Sequence, residues 1–94
     1  MKIERFMVLD FNKPPKEEFK VEVPTGSKFL KFTVFPDGIY GWWEVSELAV
    51  GSWEYPTFVV INQNTSIPNG FEYVDSPVMF TEEGAVIFHF YKKN

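Results

Sequence analysis

His89 is the sole histidine in a chain of 94 residues, and it stands between Phe88 and Phe90. Imidazole is the side chain that changes charge near neutral pH without help, so proton-transfer chemistry is sought there first. Joined by a serine and an aspartate it would support nucleophilic catalysis, in whatever order the three occur along the chain. No nucleophile elbow accompanies it. A metal site would need carboxylates at a ligand spacing from His89, and no such pairing occurs. Glu17-Glu18 and Glu82-Glu83 are adjacent, and neighbours on a strand point to opposite faces, which suits solvated turns better than an acid/base couple. The six glycines stand singly, so there is no phosphate-binding loop. Between two phenylalanines, His89 reads as a satisfied core or interface histidine.

Two further sets of residues could bind something. Asn62-Gln63-Asn64-Thr65 follows an apolar run and offers three amides and a hydroxyl, enough to hold a polar ligand through Asn62, Asn64 and Thr65. The same groups bond readily to their own backbone, and a turn is the reading that this composition favours. Trp42, Trp43 and Trp53, with Tyr40, could form an aromatic contact surface. If the strand carrying Trp42 and Trp43 is regular, one of them faces away from the core and is the best candidate contact side chain. Trp53 reads as a plug in the core, with an exposed contact as the alternative.

The elements that must position these groups are strands. Phe29 to Val45 is expected to form a hairpin turning at Pro36-Asp37-Gly38, with Gly38 in a φ > 0 conformation. Leu30, Phe32 and Val34 would share one face, and Phe29, Lys31, Thr33 and Phe35 the other. On the return strand Ile39, Trp43 and Val45 oppose Tyr40, Trp42 and Glu44, and Gly41 marks a bulge or a group packed on the backbone. Lys2 to Phe11 is a strand ended by Pro14-Pro15. Phe19, Val21 and Val23 alternate with Lys20 and Glu22, as in a half-exposed strand. Ser46 to Glu54 suggests a helical turn capped by Ser46. Thr57 to Ile61, Phe71 to Phe80 with an interruption at Asp75-Ser76-Pro77, and Ala85 to Tyr91 supply the remaining strands, with turns at Pro68-Asn69-Gly70 and Glu82-Glu83-Gly84. Ala85 to Tyr91 is apolar on both faces, which predicts burial on both sides or a homo-oligomer.

Composition sets the outer bounds. Residues 1–94 are expected to form a single all-β domain: about seven short antiparallel strands in a compact sandwich or partly open barrel, with a radius of gyration of about 12 Å. The aromatic share is 19%, with eleven Phe, so a small chain can build its core from a few large side chains. The absence of cysteine excludes a thiolate nucleophile and a disulfide framework. The start of the chain has no signal-peptide pattern, and no stretch reaches membrane-spanning length, so a cytoplasmic protein without a membrane partner is expected. A net charge of −4 with scattered cations argues against a nucleic-acid partner.

Several segments taken in order form a pattern: Val21-Glu22-Val23-Pro24-Thr25-Gly26, Ser27 to Val34, Ile39 to Val45, Thr57 to Thr65, Phe71-Glu72-Tyr73-Val74, and Gly84-Ala85-Val86-Ile87-Phe88-His89-Phe90. Together they resemble a family of small phage- and prophage-encoded β domains of unknown function. Gln63-Asn64-Thr65 departs from the Gly-Thr-Gly turn of that pattern. The resemblance brings no catalytic residue and no cofactor. It implies a non-enzymatic accessory protein in the host cytoplasm that binds a host protein or small molecule, in host takeover or as a countermeasure to defence. A minor structural or assembly protein of the phage particle is the alternative, and a small hydrolase using His89 a third reading.

Overall fold

A computed structural model describes residues 1–14, 18–46, 51–61 and 66–94. Along the chain its strands are β1 (Lys2–Asp10), β2 (Glu18–Lys20), β3 (Val23–Pro24), β4 (Lys28–Phe35), β5 (Gly38–Val45), β6 (Trp53–Glu54), β7 (Thr57–Ile61), β8 (Phe71–Asp75), β9 (Val78–Thr81), β10 (Gly84–Ile87) and β11 (His89–Lys93). All pairings are antiparallel. The strands form a three-stranded sheet β1-β5-β4, a four-stranded sheet β2-β7-β11-β8, and two small ribbons, β3-β6 and β10-β9.

The two larger sheets face each other across an aromatic core, giving an all-β sandwich. Phe32, Ile39, Trp43 and Val45 of the first sheet meet Phe19, Phe58 and Phe90 of the second. The Phe32 ring lies 4.3 Å from that of Phe90 and 5.4 Å from that of Phe58, centroid to centroid. Burying each such ring contributes roughly 1.5–3 kcal/mol, so a few of them can hold a chain this short.

The central hairpin forms through a two-residue turn, Pro36-Asp37, with Phe35 opposite Gly38. Two details differ from the expected pattern. Leu30 sits in a register shift between Phe29 and Lys31 and is exposed, so Phe29 and Phe32 both reach the core and strict alternation fails. Gly38 does not take a positive φ; positive values occur at Gly26, Gly51, Gly70 and Gly84. What Gly38 supplies is space, because a Cβ there would run into the Leu9 carbonyl oxygen. Gly41 behaves as expected: the Trp43 ring lies against its bare backbone.

Two expected strands are broken by sheet-to-sheet geometry. The alternating run Phe19–Val23 splits into β2, paired with β7, and β3, paired with β6, although Phe19, Val21 and Val23 are all buried. The run from Phe71 divides at Ser76-Pro77 into β8 and β9, where the expected interruption lies. Ala85–Tyr91 breaks at Phe88, whose N–H donates to the Pro77 carbonyl while its ring stacks on Phe11. The first part, β10, is exposed at all four positions, so burial on both sides does not hold there. The resulting β9-β10 ribbon is hydrogen-bonded to neither larger sheet, and the radius of gyration is 13.8 Å, above the expected value. Ser46 is half-buried, and the rest of the expected helical turn, residues 47–50, lies outside the described residues.

Candidate functional site

The outer face of the three-stranded sheet carries aromatic and cationic side chains side by side. Its formation follows from Trp43. That indole occupies the core, 2% exposed, and packs edge-on against Phe6 and Phe29. Period-two alternation then turns Trp42 outward. The register aligns Arg5, Trp42 and Lys31 in one row across the three strands. Met7, Tyr40 and Thr33 form the next row, and Ile3, Glu44 and Lys28 the row beyond.

Within this face several polar groups are engaged. Trp42 is half-buried, and its Nε1–H donates to Thr33 Oγ1 at 3.0 Å, which holds the indole against the sheet. The Arg5 guanidinium lies 5.0 Å from the Phe35 centroid and 4.7 Å from that of Tyr40. Each such cation–π contact at an exposed site contributes about 0.5–1 kcal/mol. The Tyr40 hydroxyl donates to Asp37 Oδ2 at 2.8 Å. That hydrogen bond, with desolvation and the charge of Asp37 behind it, raises the Tyr40 pKa against the lowering influence of Arg5. Ile3 remains 63% exposed at one end of the face.

His89 belongs to a second cluster, on the four-stranded sheet. Tyr73 OH donates to Ser76 Oγ at 2.8 Å, and Ser76 Oγ is hydrogen-bonded to His89 Nδ1 at 2.9 Å. Ser76 Oγ thus bridges the Tyr73 hydroxyl and the His89 ring. The aspartate beside this pair has another task. Asp75 Oδ2 accepts the Phe32 N–H at 2.8 Å and Oδ1 accepts the Ser76 N–H at 2.9 Å. It joins the edge strand β4 to the corner after β8, so the two sheets are tied through one carboxylate. A serine and a histidine are thus in contact, but the neighbouring carboxylate serves the backbone. A groove of about 320 Å³ runs past Ser76 and Asp75 toward Lys31 and Thr33.

The candidate residues therefore divide. Trp42, Trp53 and His89 lie on three different sheets and form no common site. Trp53 is not a core plug: it is 50% exposed on β6, because β6 pairs only with the two-residue β3 at the end of the fold. Tyr55, also exposed, donates weakly to Glu22 Oε1 at 3.4 Å. Asn62, Asn64 and Thr65 lie outside the described residues; Ile61, just before them, is the register partner of His89. Among the described residues no group of three or more His, Asp or Glu side chains could hold a metal ion. Among them, too, no helix is long and apolar enough to cross a membrane.

Sequence reasoning missed two features. Arg5 lies among Lys2, Glu4 and Asp10 on β1, and nothing in that composition marks it out for a ring contact. The Tyr73–Ser76–His89 chain spans residues from two strands and a corner, and no spacing rule exposes it. Compared with protein-family models, with curated proteins and with solved structures, the chain matches none of them.

Proposed function

We propose that this chain is a non-enzymatic binding module whose contact surface is the outer face of the β1-β5-β4 sheet, and that its partner is a protein with an acidic, partly apolar surface. The observation that carries this reading is the register itself. Arg5, Lys28 and Lys31 project on that face around Trp42 and Tyr40, with Glu44 the one carboxylate in the same three rows, on a chain of net charge −4. Aromatic and arginine side chains dominate binding energy at protein interfaces, and charge complementarity sets orientation and rate. A protein fits better than a nucleic-acid strand, because Phe35 and Tyr40 already hold Arg5 and Trp42 lies against the sheet, which leaves no ring free to stack on a base. The setting we propose is the cytoplasm of a host cell, as an accessory protein of the phage type; the resemblance over residues 21–90 supports it.

The test is capture of partners from a bacterial lysate, followed by titration of the purified partner against wild-type, Trp42→Ala and Arg5→Glu protein. Loss of about tenfold or more in affinity, or roughly 1.4 kcal/mol, is expected for each variant. Equal affinities for variants and wild type would overturn the assignment of this face. Tight, salt-dependent binding of single-stranded DNA by the wild type would overturn the choice of a protein partner.

A further inference from the structure

Where the end of β1 meets β9 there is a hollow of about 330 Å³. Its walls are apolar: Leu9, Phe11, Met79 and Phe88. The Phe11 and Phe88 rings are stacked, with 6.2 Å between centroids. The Phe11 N–H donates to the Asp37 carbonyl and the Phe88 N–H to the Pro77 carbonyl, so the backbone behind each ring is anchored. Met79 adds a thioether, which adapts its shape to an aromatic or aliphatic neighbour. The two polar lining residues are Asp10 and Lys13, one charge of each sign. The turn after β1 holds them in place: the Lys13 N–H donates to the Asp10 carbonyl at 3.2 Å, and Asp10 Oδ1 accepts the Asn12 N–H at 2.9 Å. The two charges do not neutralise each other. Among the described residues neither the Asp10 carboxylate nor the Lys13 ammonium is in an ion pair.

We propose that this hollow binds the zwitterion of a free amino acid with a large apolar side chain. A concave apolar lining with a few polar groups is the general form of a small-molecule site, and this volume lies at the small end of the range. The ligand's ammonium meets Asp10 Oδ2, the oxygen not taken by Asn12. Its carboxylate meets the Lys13 ammonium, and its side chain lies against Phe11, Met79 and Phe88. The charges select against the simpler ligands. A purely apolar guest would cover both charges and pair neither. An apolar carboxylate would bring its anion to Asp10, and an apolar amine its cation to Lys13. A ligand with both charges at one end answers both residues at once. A neighbouring hollow of about 260 Å³ shares Asp10 and Lys13 and is lined by Lys20 as well, which places a second cation on the carboxylate side. Neither hollow is lined by Arg5, Trp42 or Tyr40, so this site and the contact face of the three-stranded sheet stand or fall separately.

Titration with L-phenylalanine, followed through the backbone amide signals in NMR, tests this. Saturation is expected with a Kd of about 1 mM or below. The largest shifts should fall at Phe11, Lys13, Met79 and Phe88. Analogues separate the charges: N-acetylphenylalanine lacks the ammonium and phenylalaninamide lacks the carboxylate. Each should bind about threefold or more weakly than the parent, as expected for one ion pair at an open rim. Two variants close the comparison. Asp10→Asn keeps an oxygen for the Asn12 N–H; it should weaken phenylalanine by a similar factor and leave N-acetylphenylalanine unchanged. Lys13→Gln should weaken phenylalanine and leave phenylalaninamide unchanged. No saturation up to about 20 mM phenylalanine, or an analogue that binds as tightly as the parent, would overturn the proposal. So would a folded Asp10→Asn or Lys13→Gln protein with the affinity of wild type for phenylalanine.

Discussion

Replacing Gly41 by alanine tests how the outer face is built. The residue sits mid-strand in β5, buried, with no unusual φ. The objection to a side chain there is therefore space alone. An added Cβ would overlap Cζ3 and Cη2 of Trp43 and approach Phe32 Cε1 to 3.2 Å. Neither ring has room to retreat. Trp43 is packed among Phe6, Phe29 and Phe58, and Phe32 among Phe29, Phe58 and Phe90. Overpacking of this kind costs about 3 kcal/mol at the upper end of its range. Against it stands a gain of about 0.7 kcal/mol from the reduced freedom of the unfolded chain. The net expectation is a loss of about 2 kcal/mol, or roughly 8–16 °C in Tm for a domain of this size. Trp43→Phe removes the two clashing atoms and on its own costs roughly 2 kcal/mol through the cavity left behind. In the double variant the alanine methyl enters that cavity. The combined loss should fall short of the sum by at least about 1 kcal/mol. Urea unfolding followed by far-ultraviolet circular dichroism measures all three losses on one scale. A Gly41→Ala protein within about 0.5 kcal/mol of wild type, or strict additivity in the double variant, would refute the steric account.

Two other perturbations address the polar groups. Asp75→Ala strands the Phe32 and Ser76 N–H groups and should cost about 3 kcal/mol in urea unfolding, while Asp75→Asn, which keeps one acceptor oxygen, should cost less; equal losses would show that the carboxylate does not tie the sheets as described. Tyr40 has a raised pKa because its protonated hydroxyl donates to Asp37, so the stabilisation is present below the ordinary tyrosine pKa and is lost as pH climbs through the raised folded value. Asp37→Asn should bring the Tyr40 midpoint down, followed by NMR of its ring, and an unmoved midpoint would count against the bond.

The strands were legible where local pattern and packing agreed. Ile39, Trp43 and Val45 alternate on β5, so their shared face and the opposition of Trp42 to Trp43 could be read directly. The turn residues at Pro36-Asp37, Asn69-Gly70 and Glu82-Glu83 carry their own backbone preferences and were placed correctly. Legibility failed where one run of residues serves two sheets. Phe19, Val21 and Val23 keep perfect alternation and are all buried, yet the chain changes partners between them. Leu30 matches the apolar period and is exposed, because a bulge moves it out of register. Trp53 has the hydrophobicity of a core residue but sits on a two-residue strand with little around it to pack against.

The same division holds for the sites. Alternation along one strand is a local property, so the sequence by itself determined that one tryptophan of the Trp42–Trp43 pair must leave the core. Which groups meet across the fold is set by strand order and register, which depend on packing between distant segments. Only the tertiary structure could lay Arg5 over Phe35 and Tyr40, hand Asp75 to the backbone of β4 instead of to His89, and leave the face of Phe80 uncovered.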